Sequence, residues 1–433
     1  MLKNCVKGCY DRYPKAKEPW QDPFIWQQID KIVRKLTVLY GFEEVVTPSF
    51  EYTEIFTRTS GEESDIVSKE MYTFLDKKGR SLSLRPELTA PVIRAYIENG
   101  GMEERLSKLY YLGSCYRYNR AQKGRYRQFN QFGIEVIGEK SPFIDIEVIS
   151  MLDHFFKLLG LSKTTLLINS IGSKQCREVY SRELVSYFSS FKDQLSDDSK
   201  RRLTTNPLRI LDSKDSQDIT LVKGAPNILD YLNSEAKAHF TAVLEGLDRL
   251  GISYKVDPLL VRGLDYYTDT VFEVVRDDHS SAQNSLGGGG VYGGLVKDLG
   301  GKDLPGIGFG IGIERVIQYL LESGISFGEK EPLVCYFIGL NDECKKMQTT
   351  FAFHARHRSL SSECHYDCSI KSGLKKASEK MARYAIILGE EELKLGVCKI
   401  KDLRTREEES IMLTAFSSWL SKISSEHLLY NLN

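Results

Sequence analysis

The 433-residue sequence is informative first through what it lacks. No GxxxxGK[ST] occurs, since Gly301-Lys302 is followed by Asp303, and this excludes a P-loop. GIGFGIG (306–312) fails the GxGxxG dinucleotide pattern, because Ile311 or Ile313 stands where the third glycine should be. All seven histidines lie at or beyond His154, so the first 153 residues hold no histidine base for a Ser/His/Asp or Cys/His scheme. The nine cysteines are odd in number and form no CxxC pair, which speaks against a disulfide framework. His354, His357, Cys364, His365 and Cys368 fit no standard zinc spacing, and no metal-binding residue is assigned. No apolar run is long enough for a membrane helix and no apolar signal core opens the chain, so a cytoplasmic location is expected. Acids and bases balance at 59 each. No global field advertises a nucleic acid, and any such binding must come from a local basic patch.

What is present is such a patch. Residues 117–127 carry Arg117, Arg120, Lys123, Arg125 and Arg127 without an acid. Gln122-Lys123-Gly124 is a turn signal, and the flanks read as strand, so a hairpin with a basic tip is expected. Alternation puts Phe132, Ile134 and Val136 on one face and Gln131, Gly133 and Glu135 on the other. Gly133, between an amide and a carboxylate, clears a gap where a small polar ligand could lie flat. Composition alone also fits a solvated edge hairpin. The Gln-Gly-Glu face beside an acid-free arginine row favours a site for an anion and an amine.

Elsewhere, periodicity predicts helices over 24–40, 53–58, 91–99, 145–159, 174–191 and 235–250, strands over 44–47 and 254 onward, and a hairpin over 71–84. A polar connector is expected over 193–206. LRPELTAP and LVRGLDYYT are read as strands that present Arg85, Glu87, Thr89 and Arg262. An internal ion pair at Arg85 is the alternative, because buried charge is costly without partners. GIGFGIG reads as a glycine strand open to a flat ligand, running into a helix near Ile313 with Arg315 in its first turn. Beyond a linker at 327–332, strands at 333–340, 384–388 and 397–402 alternate with helices at 342–354, 374–381 and the terminus, suggesting a compact α/β domain. Arginines and carboxylates without a proton shuttle suit an ionised nucleophile, such as a carboxylate attacking a phosphoryl centre.

These motifs together resemble the class II aminoacyl-tRNA synthetases, and specifically the histidyl-tRNA synthetase family, over nearly the whole chain. GFEEVVTPSF (41–50) resembles the first class motif, YRYNRAQKGRYRQFNQFGIEVIG the second and GIGFGIGIERV the third. LVRGLDYYTDTVFE is similar to a signature particular to the histidine enzymes, and GCYDRYP, PELTAP and SGLKKASEKMARYAIILGEEEL match too. The resemblance implies an α+β catalytic domain on a mixed, mainly antiparallel sheet (1–328), carrying a helical insertion at about 172–250, and a C-terminal α/β anticodon-binding domain (329–433). It implies ATP-dependent charging of histidine tRNA, with Mg²⁺ accompanying ATP, by a homodimer. Arg262 and Arg117 would be catalytic. Glu87, Leu88, Thr89, Arg117, Gln131, Glu135, Arg262, Tyr266 and Tyr267 would bind histidine. Arg117, Asn119, Arg125, Tyr292 and Arg315 would bind ATP, and Gln122, Lys123 and Arg127 would face the tRNA acceptor end.

Three segments depart from the family pattern. Asn119 replaces a glutamate near the adenine amine, Val291-Tyr292-Gly293-Gly294 replaces Arg-Tyr-Asp-Gly, and Cys9 replaces a common threonine. A synthetase-like, histidine-sensing regulatory subunit of ATP phosphoribosyltransferase is the alternative. Against it stand the extra domain after residue 332 and the intact Arg262 signature.

Overall fold

The structure, a computed structural model, describes residues 4–60, 64, 66–120, 122–262, 266–277, 284–328 and 330–431. The chain divides into two compact units, Met1–Phe327 and Gly328–Asn433.

Eleven strands are seen among the described residues of the first unit: β1 (Glu43–Glu44), β2 (Phe50–Tyr52), β3 (Tyr72–Leu75), β4 (Ser81–Leu84), β5 (Ser107–Tyr116), β6 (Gln128–Ile137), β7 (Thr164–Ser170), β8 (Lys255–Val256), β9 (Tyr267–Arg276), β10 (Ser285–Tyr292) and β11 (Gly306–Gly312). Eight of them form one sheet in the order β1-β5-β6-β11-β10-β9-β7-β8, and β2-β4-β3 form a second. The central ladders from β5 to β7 are antiparallel, while the edge pairs β1–β5 and β7–β8 are parallel. One face of the large sheet is packed by helices. Ile29, Val33 and Leu36 from Pro23–Leu39 meet Val148, Leu152 and Phe155 from Pro142–Leu158, and both meet Phe132, Ile134 and Val136 of β6. Each helix is started by a side-chain oxygen: Asp22 accepts from the Phe24 amide at 3.0 Å and Ser141 from the Phe143 amide at 3.3 Å. Gly41, at φ +70°, ends the first helix where an L side chain would be strained.

Several local expectations change. The expected strand over 44–47 is short: its register with β5 covers Glu43–Glu44, and the Val45 amide still donates to the Tyr110 carbonyl at 2.8 Å. LRPELTAP is not a strand: β4 stops at Leu84, and Thr89 opens the helix Thr89–Glu98. Among the described residues Arg85 forms no ion pair; its guanidinium donates to the carbonyls of Ser114, Thr47 and Pro48. Arg262 precedes strand β9 rather than lying in it, while Gly263, Leu264 and Asp265 fall outside the described residues. The connector over 193–206 contains the helix Asp197–Thr205, capped by Ser196 and braced by Asp218, which accepts from the hydroxyls of Ser196 and Ser199. Tyr180, Leu184, Phe188, Ile210 and Leu211 give the 174–249 segment an apolar core that continues into Tyr266, Tyr267 and Tyr292.

In the second unit β12 (Cys335–Gly339), β13 (Ser362–His365), β14 (Tyr384–Leu388), β15 (Val397–Asp402) and β16 (Glu408–Met412) form a sheet ordered β13-β12-β14-β15-β16. The first three strands are parallel and the rest antiparallel. β12 and β14 are buried along their whole length, as strands covered by helices on both faces must be. The edge strands β13 and β16 escaped the sequence reading, because they are short and polar. Among the described residues no helix is long and apolar enough to cross a membrane.

Candidate active site

The face of the large sheet opposite its helical layer bears a cavity of about 450 Å³. Its floor follows from the register. Glu135, Gly133 and Gln131 of β6 lie opposite Gly308, Gly310 and Gly312 of β11, and Gly308 and Gly310 lie opposite Gly290 and Gly288 of β10. Residues directly opposite in an antiparallel ladder share a face, so the five glycines of β10 and β11 leave a bare patch between Gln131 and Glu135 on one side and Glu273, opposite Gly288, on the other. Side chains lean into this space. A Cβ on Gly308 would fall 2.2 Å from the Glu135 carboxylate, and one on Gly288 would fall 2.8 Å from Arg262 Nη1. The gap expected over Gly133 is taken by Tyr111, whose hydroxyl would lie 2.3 Å from a Cβ there. The open floor is instead at Gly310 and Gly312.

One end of the cavity is aromatic and carboxylic. Glu135 is 1 % exposed. The hydroxyls of Tyr292 (2.9 Å) and Tyr111 (3.4 Å) donate to it, and the nearby Thr89 side chain also favours its charge. Burial nevertheless pushes its proton affinity up, to a pKa of about 8. The Tyr266 and Tyr267 rings also line this end, tilted 43° to each other with ring centres 4.7 Å apart. Glu87 accepts the main-chain N–H groups of Thr89 (2.6 Å) and Ala90 (3.0 Å) at the start of a helix. Its pKa is raised by burial, against the opposing effect of those donors and of Arg117.

The other end is cationic. Arg117 donates to the Pro86 carbonyl at 2.8 Å and lies 5.2 Å over the Phe129 ring. Arg125 donates to Glu70 at 2.7 Å and to Asn119 Oδ1 at 2.8 Å. Arg315 donates to the carbonyls of Gly124 and Ser285, each at 3.0 Å. Burial, then Arg117 and Arg125, pull the Arg315 guanidinium below its ordinary pKa, against Glu273 and Glu314. Between the two ends stands Arg262, paired with Glu273 at 3.2 Å. Burial works against its charge, but Tyr267, Glu273 and Tyr266 outweigh that and leave its pKa raised.

The cavity thus brings together Glu87, Thr89, Arg117, Asn119, Arg125, Gln131, Glu135, Arg262, Tyr266, Tyr267, Tyr292 and Arg315. Leu88 is placed elsewhere, in an apolar cluster with Val92, Tyr111 and Cys115. Gln122, Lys123 and Arg127 are outside the cavity wall: Lys123 pairs with Glu322 at 2.7 Å, and Arg127 covers the Tyr118 ring at 4.1 Å. Tyr111, Glu273, Ser285, Glu314, Asp212 and Lys214 also line the cavity, and sequence reasoning missed them. The alternation that exposed Glu135 would have found Tyr111 on the neighbouring strand. Asp212 and Lys214 carry no local signal, since the 174–249 segment delivers them from afar.

A family model described as histidyl-tRNA synthetase matches residues 22–316, and one described as anticodon binding domain matches 341–423. The chain belongs to the histidyl-tRNA synthetase family. A curated relative named histidine–tRNA ligase from Protochlamydia amoebophila is 44% identical over 409 residues, spanning 94% of this chain and 96% of the relative. The solved structure of apo S. aureus histidyl-tRNA synthetase aligns with a TM-score of 0.81 at 36% identity, covering 97% of this chain and all of that one. A Bacillus halodurans structure titled as an ATP phosphoribosyltransferase regulatory subunit/histidyl-tRNA synthetase aligns at a TM-score of 0.64 over 90% of this chain and 99% of that one. At 23% identity that likeness concerns the fold alone. The mixed-sheet catalytic architecture and the separate C-terminal anticodon-binding fold are those expected from the sequence.

Proposed function

We propose that the chain attaches L-histidine to its cognate tRNA in two steps at this cavity. The histidine carboxylate attacks the α-phosphorus of ATP, a P–O bond to the carboxylate forms, and the bond to pyrophosphate breaks. A terminal ribose hydroxyl of the tRNA then attacks the carbonyl of histidyl-adenylate and releases AMP. The first step needs no general base, because the nucleophile is already ionised, so positioning and charge neutralisation carry it.

The observation that carries this reading is the polarity of the cavity along β6. Glu135 and the tyrosines form one end, Arg262 stands over the glycine floor, and Arg117, Arg125 and Arg315 form the other. The imidazole of histidine sits at the Glu135 end with Tyr266 and Tyr267, and its ammonium meets Glu87, Thr89 and Gln131. Its carboxylate meets Arg117. The triphosphate runs toward Arg125 and Arg315, and Arg262 neutralises charge at the α-phosphate; Tyr292, expected beside ATP, stands instead in the imidazole pocket, where its hydroxyl donates to Glu135 at 2.9 Å. Mg²⁺ would accompany the phosphates, and Glu273 and Asp212 are the carboxyls of the cavity wall that would hold it through its waters. Gln122, Lys123 and Arg127 face the acceptor end, residues 1–328 form the catalytic domain with an insertion at 172–250, and 329–433 bind the anticodon. The working unit is a cytoplasmic homodimer.

Histidine-dependent ATP–pyrophosphate exchange tests this reading. Exchange is expected with histidine and not with the other nineteen amino acids; exchange without histidine dependence would overturn it. Asn119 offers a finer check. Its oxygen is engaged by Arg125, and a glutamate there would turn that contact into an ion pair. Asn119→Glu is expected to lower the KM for ATP severalfold, roughly 0.5–1 kcal/mol, with the KM for histidine unchanged. A raised ATP KM would show that the amide is the better fit.

A further inference from the structure

Glu314 precedes Arg315 at the start of the helix Ile313–Glu322 and lines the cavity, yet the chemistry above does not use it. It is 2 % exposed. One carboxylate oxygen accepts the main-chain N–H of Asn130 at 2.8 Å, its side-chain Nδ2 at 2.9 Å, and the Tyr10 hydroxyl. The other oxygen has no hydrogen-bond partner among the described residues. A carboxylate this deep is tolerated only when donors hold its charge.

The donors come from opposite parts of the sequence. Asn130 is in β6, one residue before Gln131, while Tyr10 belongs to the N-terminal segment. That segment is tied to the second class motif at several points. The Arg127 amide donates to the Gly8 carbonyl at 2.7 Å, and Arg12 Nη2 donates to Asn130 Oδ1 at 3.1 Å. Ser114 reaches the same oxygen at 3.0 Å, so the Asn130 amide has one orientation, with Nδ2 toward Tyr10 and Glu314. The Tyr10 ring is held edge-on to Trp20 and Tyr126, at centre distances of 4.5 and 5.2 Å. Glu314 and Arg315 are consecutive in the first turn of the helix Ile313–Glu322, so the donors that fix Glu314 to β6 also fix the turn from which Arg315 reaches the Gly124 and Ser285 carbonyls, each at 3.0 Å.

We propose that Tyr10 is a positioning residue for the nucleotide: its hydroxyl, acting through Glu314, holds Arg315 among its neighbouring arginines at the cationic end of the cavity. This rests on the assignment of Arg315 to ATP. Nothing local in the sequence marks Tyr10, because its partner lies 304 residues away.

Titration of the full-length protein with ATP alone, and separately with histidine alone, tests it without requiring turnover. Tyr10→Phe keeps the ring packing and removes the donor. It is expected to weaken ATP about tenfold, as loss of a hydrogen bond to a charged group does, and to leave histidine within twofold. Glu314→Gln is expected to weaken ATP comparably, and the double variant no further, because the two act through one path. Unchanged ATP binding in both single variants would overturn the proposal, as would equal losses for ATP and histidine or additive losses in the double variant. Absent histidine-dependent exchange with wild-type ATP binding intact would instead count against the proposed function and leave this test readable.

Discussion

Arg262→Ala is expected to slow histidine-dependent ATP–pyrophosphate exchange by roughly 10²–10³-fold, about 3–4 kcal/mol, the loss typical of one preorganised charge donor. The geometry explains why solvent would not replace it. Arg262 stands over Gly288 between the carboxylic and cationic ends, with Glu273 at 3.2 Å and the two tyrosine rings beside it. Part of the loss would come from Glu273, left with the Ser285 hydroxyl as its remaining contact in that pair. Glu273→Gln in the Arg262→Ala background separates the two effects: it should recover the part due to the orphaned carboxylate and leave the rest. Lysine at 262 should rescue incompletely, since it lacks the planar fork that spans Glu273 and a ligand. Near-normal exchange in Arg262→Ala would show that the residue is not catalytic.

Glu135→Gln is expected to raise the KM for histidine ten- to hundredfold while changing that for ATP little, as a hydrogen bond to a buried carboxyl contributes about 1.5–3 kcal/mol. The same variant carries a stability signature. Burial holds the Glu135 proton in the folded chain up to a pKa of about 8, against an ordinary value of 4.5. Between these values the folded state binds a proton that the unfolded chain has released, so this site makes stability fall as pH rises through that window. Glutamine cannot titrate. The variant should therefore gain stability over the parent from pH 5 to pH 8, read from urea midpoints with unchanged slopes. A parallel pH dependence in the two proteins would remove Glu135 as the source, and an unchanged histidine KM would remove it from the imidazole pocket.

The site was legible where chemistry repeats at a strand's own period. Gln131, Gly133 and Glu135 declared a shared face by spacing alone, and GIGFGIG declared a bare strand running into the helix that carries Arg315. Legibility ended where local pattern and partner were far apart. Arg85 looks like half of an ion pair, yet its ligands are three carbonyls 29–38 residues away. The gap over Gly133 looks open in sequence, but the register of β5 with β6 puts Tyr111 opposite and fills it.

The sequence by itself therefore determined the family, most of the helices and strands of both units, and the residue types that must meet an anion and an amine, because periodicity and motif spacing act within a few residues. Only the tertiary structure decided which glycines stay bare and that Asn119 is engaged by Arg125. It also decided that Asp212 and Lys214 reach the cavity and that Tyr10 holds Glu314. The reason is physical: ladder register and the demand of buried charges for donors pair groups across the whole chain, and no local window contains both partners.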